Sequence, residues 1–246
     1  MRDALTAVLR ETCGLLVPLV CPCGAEGRLL CADCAALLAS TPVRVDAACD
    51  ALQLVSAARV REGPVGEPVG VDHSSLLPVH ALGEYAGSLQ DLVLAWKNGG
   101  RAHLVPAISR GLAPAVEAVA DGDEAMLVPV PSRLSARLRR GEDHTALLAA
   151  TLSRRTGLPF ERLTARTGEG QKGRSARQRR TRHLYPAPRA LARTRRDRAP
   201  VILVDDVVTT GATLRSCVEG LAGIGVDVKG AVVLAAARMP APRTIP

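Results

Sequence analysis

Toward the carboxyl end of the chain, the apolar run Val201-Ile-Leu-Val204 leads directly into Asp205-Asp206, and Thr209-Thr-Gly-Ala-Thr213 follows after two valines. Each part suits one piece of chemistry. A β-branched apolar run predicts a buried strand, and open α/β sheets bind ligands beyond the carboxyl ends of their strands. Gly211 permits a tight turn that a Cβ would block. The Thr209–Thr213 loop opens a helix, so its backbone N–H groups, with the Thr209, Thr210 and Thr213 hydroxyls, can surround an anion. Carboxylates repel such an anion. Asp205 and Asp206 are therefore expected beside it, accepting hydrogen bonds from sugar hydroxyls or placing a metal ion. An acidic strand end alone is common; the whole string is what marks a phosphate site.

Two further groups carry chemistry. Val128-Pro129-Val-Pro131 ends a predicted strand just before Arg133, and Lys97 closes a predicted helix. Prolines stiffen the backbone, and both cations are candidates for diphosphate oxygens. The other group is the cysteines, five of which lie between Cys13 and Cys34. Cys31-Ala-Asp-Cys34 has the spacing at which two thiolates converge on a tetrahedral ion. Its partner Cys21-Pro-Cys23 has one intervening residue. Three outcomes are open: a strained four-cysteine zinc site, a site in which Cys13 replaces one ligand, or no metal. A four-thiolate zinc site would be structural, because it leaves no open position for chemistry.

The elements that must hold these residues read as strands alternating with helices. Strands are predicted at Ala125–Val130, Val201–Val204 and Ala231–Ala235, with a further strand within His80–Tyr85. Helices are predicted over Ser88–Trp96, Val105–Val119, Thr145–Thr156 (closed by Gly157) and Thr213–Gly223, with one starting at Cys34 and a short one near the start of the chain. This pattern implies an α/β fold with a mainly parallel sheet. We divide the chain into an N-terminal helix and cysteine module over 1–56, a linker or surface loop over 57–78, and a larger α/β domain over 79–240. The middle division rests on the Gly, Pro and charge of Glu62-Gly-Pro-Val-Gly-Glu-Pro68.

Composition bounds the rest. At 246 residues and 47% hydrophobic, the chain can bury one sizeable core with a small module besides. It lacks a membrane-spanning apolar run and a signal-peptide pattern, so the expected location is the cytoplasm, where cysteines stay reduced. Lys and Arg outnumber Asp and Glu by 32 to 24, giving +8, concentrated in Arg166–Arg198. That balance suits polyanions in general. Aromatic residues are only 2%, which argues against a dedicated reader of exposed bases. Arg166–Arg182, basic and glycine-containing, is expected to be either a lid over an anionic substrate or a solvated basic stretch.

The Val201–Thr213 string resembles the signature of type I phosphoribosyltransferases, which bind 5-phosphoribosyl-1-diphosphate with magnesium. The resemblance implies that Asp205 and Asp206 take the ribose hydroxyls and that Thr209, Thr210, Gly211, Ala212 and Thr213 hold the 5-phosphate. Gly83-Glu-Tyr85, Lys97, Val128-Pro-Val-Pro131, Arg140-Gly141 and Gln171-Lys-Gly173 occur in the order seen in ComF-type proteins, which place a cysteine module before such a domain. By that resemblance Pro129, Gln171 and Arg179 join the substrate-binding set, and Cys21, Cys23, Cys31 and Cys34 the zinc set. The chain departs from the family at Glu142-Asp143-His144 and at Arg182, positions where a substrate or moving loop would be contacted. Two functions follow from the resemblance. One is a magnesium-assisted phosphoribosyl transfer to an acceptor that the sequence does not name, with Asp205 and Asp206 stabilising the reacting sugar. The other is a non-catalytic nucleotide- or DNA-binding module in competence, with single-stranded DNA or DNA-uptake proteins as partners.

Overall fold

The apolar run that ends in the acidic pair lies in a five-stranded sheet, one strand in from its edge. The computed structural model describes residues 19–62, 64–65, 68–98, 100–131, 143–164, 185–186 and 199–240. The sheet order is β1 (Val43–Arg44), β4 (Val79–Ala81), β9 (Val228–Ala236), β8 (Val201–Val208) and β5 (Met126–Pro129). β4, β9, β8 and β5 are mutually parallel, and β1 adds an antiparallel edge. The fold is thus α/β with a mostly parallel sheet, as the alternating pattern predicts.

Alternation along β8 explains why it reads as continuously apolar: both of its faces are covered. Ile202 and Val204 pack with Leu127, Val232 and Leu234 against one layer of helices. That layer comprises α1 (Ala32–Leu38), α2 (Gly87–Asn98), α3 (Val105–Ala120) and α4 (His144–Thr156). Val201 and Leu203 face the opposite way, toward α5 (Ala212–Ala222) and a short 3₁₀ segment spanning 46–52. The helix ends follow capping chemistry. The Asp143 carboxylate accepts from the Ala146 N–H to start α4, and Gly157, in the left-handed region at φ 77°, stops it.

Most of 57–78, expected as a linker or loop, lies in an antiparallel hairpin of β2 (Gln53–Glu62) and β3 (Pro68–Ser75). Of the residues that suggested a linker, Pro64 lies in a turn and Pro68 begins β3. The flanking segments carry Val55, Val60, Val69 and Val71, and β-branched residues suit a pleated strand. A second, two-residue ladder joins β6 (Leu163–Thr164) to β7 (Tyr185–Pro186). The expected first helix, Cys13, Arg133, Arg140-Gly141, Glu142, Gln171, Arg179 and the rest of the 166–182 stretch lie outside the described residues. Among those described, no helix is long and apolar enough to cross a membrane.

Candidate functional site

β8 delivers Asp205 and Asp206 to the carboxyl edge of the sheet. The backbone N–H of Asp206 donates to Asp205 Oδ1 at 2.8 Å, which holds the first carboxylate against the strand. Asp206 Oδ2 meets Lys97 Nζ at 2.8 Å, and both side chains are largely shielded from solvent. Lys97 stands in the last turn of α2 beside Trp96, which is wholly buried and anchors that turn in the core. Burial pushes the Asp205 carboxyl well above the usual range, and the charge of Asp206 adds to the rise; the Asp206 N–H and Lys97 oppose it. Two adjacent acids thus sit in different states: one drawn toward neutrality, the other paired with a cation.

Neighbouring strands bring other named residues to the same edge. Pro129 is the register partner of Val204, and the Val130 N–H donates to the Val204 carbonyl at 2.8 Å, which carries β5 up to the level of Asp205. On the other side, the Tyr85 N–H donates to Ala236 O at 2.7 Å and the Ala236 N–H to Gly83 O at 2.9 Å. Gly83-Glu-Tyr85 therefore lies along the carboxyl end of β9.

The threonine-glycine loop starts α5. Gly211 is the N-cap, with φ 80°, and has no side chain to cap the helix; the Ala212 N–H donates instead to Thr210 Oγ1 at 3.4 Å. Thr209, Thr210, Ala212 and Thr213 are exposed, while Gly211 is buried. The first-turn N–H groups of a helix have no intrahelical partner, so this turn offers donors to an anion. The glycine is required twice. Its φ is left-handed, and a Cβ would stand 2.6 Å from Leu52 Cγ and 3.2 Å from Cys49 Cβ. Sequence reasoning found the glycine but missed its neighbours: the 46–52 segment is remote in sequence and carries no motif. The Lys97–Asp206 pair was missed for the same reason, since Lys97 was read only as a diphosphate ligand.

The cysteine cluster forms a separate centre. The Sγ atoms of Cys21, Cys23, Cys31 and Cys34 all lie within 4.8 Å of one another. A tetrahedral ion with Zn–S bonds of about 2.3 Å places sulfurs about 3.8 Å apart, so this set fits zinc. Cys23 and Cys31 already stand at 3.6 Å. The Cys31 N–H approaches Cys21 Sγ at 3.3 Å and the Cys34 N–H approaches Cys31 Sγ at 3.4 Å, donors that stabilise thiolates. Burial raises the Cys21 thiol, but hydrogen bonds from the Cys31 and Cys23 backbone and from neighbouring thiols bring it to about 7. Pro22 and a turn closed by the Cys21 N–H on Ala25 O (2.8 Å) let the one-residue spacing converge. The cluster needs no contribution from Cys13 to reach four sulfurs.

No family model matches the chain, and no curated protein matches it. Solved structures similar to it are phosphoribosyltransferases. Adenine phosphoribosyltransferase from Thermoanaerobacter pseudethanolicus is 13% identical with a TM-score of 0.33, over 73% of this chain and 84% of that one. Orotate phosphoribosyltransferase from Aeropyrum pernix is 18% identical with a TM-score of 0.28, over 72% of each chain. Another adenine phosphoribosyltransferase is 13% identical with a TM-score of 0.35, over 76% and 86%.

Proposed function

We propose that the carboxyl edge of the sheet binds 5-phosphoribosyl-1-diphosphate with magnesium. The observation that carries this reading is the acidic pair near the end of β8, followed a few residues on by a helix start whose N-cap is the left-handed Gly211. An anion donor site and a sugar-hydroxyl acceptor pair thereby lie within one turn of chain. In this reading the Thr209–Thr213 loop holds the 5-phosphate, Asp205 and Asp206 accept from the ribose hydroxyls, and Pro129 lines the diphosphate side, with Arg133, Gln171 and Arg179 completing the set. Lys97 exchanges its bond to Asp206 for a diphosphate oxygen or orients that carboxylate.

The donor set suits magnesium, which keeps several waters and is held by one or two carboxylates together with substrate phosphates. Asp205 and Asp206 would supply those carboxylates, and the ion would neutralise charge on the departing diphosphate. The chain's own part in a transfer is positional and electrostatic. The loop fixes the phosphate end, and the acidic pair faces the sugar as positive charge develops at its anomeric carbon. As an enzyme, the protein would pass the phosphoribosyl group to an acceptor and release diphosphate.

The test is calorimetric titration of magnesium and phosphoribosyl diphosphate into the whole protein and into a D205N/D206N variant. Binding weakened at least about a hundredfold in the folded variant is expected. Absence of binding to the unaltered protein would overturn the substrate assignment. The next titration would then be single-stranded DNA across a salt series, where a competence module relying on its basic stretch would lose affinity steeply with salt.

We also propose that the four cysteines hold one structural zinc ion. One zinc per chain is expected by elemental analysis, with none retained after Cys34→Ala. Rapid alkylation of all four thiols in the folded, zinc-supplemented protein would sink this assignment.

A further inference from the structure

The phosphate reading leaves the 46–52 segment unexplained, yet this segment both hydrogen-bonds to the loop and packs against its glycine. The Ala51 N–H donates to the Thr210 carbonyl at 2.9 Å. Arg215, one turn into α5, donates from Nη1 to the Ala51 carbonyl at 3.0 Å and from Nε to Glu219 Oε1 at 2.8 Å. Leu52 is fully buried and occupies the space that a Cβ on Gly211 would need.

The segment is itself tied down from two sides. The buried Asp46 carboxylate accepts from Arg44 Nε at 2.6 Å and from the Val79 N–H at 3.3 Å, which joins it to β4. Gln53 Nε2 donates to the Asp46 carbonyl at 2.6 Å and the Cys49 carbonyl at 3.3 Å, closing the segment on itself. The Leu76 N–H donates to the Leu52 carbonyl at 2.8 Å, where the hairpin returns.

The consequence lies in one peptide plane. In a trans peptide the C=O and the following N–H point in opposite directions. A carbonyl turned toward a bound phosphate would repel it. Capture of the Thr210 carbonyl by Ala51 turns that oxygen away from the loop mouth and aims the Gly211 N–H into it. We infer that the 46–52 segment is a positioning strap for the anion-binding loop, with the Ala51 N–H and the Leu52 side chain as the groups that orient the Thr210–Gly211 peptide toward phosphate. This inference rests on the reading of the loop given above and adds the residues that make it a donor.

Ribose 5-phosphate, which lacks the diphosphate, probes the loop alone. The experiment is NMR titration of the 15N-labelled whole protein with this compound. In the unaltered protein the Ala51 amide is expected to be protected from hydrogen exchange before ligand is added, and the Gly211 amide to be among the most shifted on binding. Ala51→Pro deletes the donor, and its φ matches a 3₁₀ segment. It is expected to weaken binding about tenfold and abolish the Gly211 shift. Because proline also restricts Asp50, Leu52→Ala serves as a second variant with the same expected direction. Leu112→Ala, buried in the opposite core layer, should lower thermal stability while leaving affinity unchanged. Ribose 5-phosphate binding undiminished in folded Ala51→Pro or Leu52→Ala, or an unprotected Ala51 amide, would overturn the strap while leaving the loop reading intact. Failure of the unaltered protein to bind would overturn both.

Discussion

Gly111→Ala is expected to lower Tm by roughly 4–8 °C, although alanine is the better helix former. A Cβ at position 111 in α3 would stand 1.8 Å from the backbone carbonyl oxygen of Leu38 and 3.2 Å from Leu82 Cδ1. The gain in helix propensity is about 1 kcal/mol. The clash is with backbone, which cannot rotate aside as a side-chain tip can, and overpacking of this kind costs about 3 kcal/mol or more. The clash wins, and for a chain of this size each net kcal/mol moves Tm by about 2–4 °C. The direction of relief matters as well. Leu38 ends α1, the helix that Cys31 caps and that contains Cys34. Moving α1 off α3 therefore drags two of the four sulfurs, so the variant should release metal more readily in a chelator-competition assay. A Tm equal to or above that of the unaltered protein would show that the two helices separate without cost.

Asp205→Asn should make the protein more stable at pH 8 and leave it unchanged at pH 4. Burial, followed by the charge of Asp206, raises the Asp205 carboxyl well above its usual range. A raised carboxyl favours the folded state while it is protonated. Its contribution is fully present below the unfolded carboxylate value, about 3.9, and is lost as pH rises through the higher folded value. Each unit of separation between those two values is worth about 1.4 kcal/mol once the pH exceeds both. Asparagine removes the charge and keeps the shape. Asp206→Asn should behave differently, because it strips Lys97 of its partner at 2.8 Å while it relieves the repulsion on Asp205. Thermal melts of both variants at pH 4, 6 and 8 check the contrast. A folded Asp205→Asn less stable than the unaltered protein at every pH would refute the assignment.

Local sequence and tertiary contact contributed different parts of this site. The strand, acidic pair and glycine loop are contiguous, and their types alone state the requirement: a run covered on both faces, a turn without a Cβ, a helix start facing an anion. The close of α4 was equally legible, because Gly157 acts on residues beside it in the chain. The hairpin over 53–75 was not, since its turn composition is that of a linker and only pairing reveals the strands. The cysteine spacing left several ligand sets open, and the convergence of Cys21, Cys23, Cys31 and Cys34 within 4.8 Å fits the four-cysteine set.

What the amino-acid order determined, then, is every feature governed by residues within a turn of one another. What the tertiary structure decided is which distant residues complete them: Lys97 for Asp206, Leu52 for Gly211, Ala51 for the Thr210 carbonyl. Gly211 signalled a tight turn, but a missing side chain carries no address for what packs against it. A partner 159 positions away is chosen by packing of the whole core, and no local propensity encodes it.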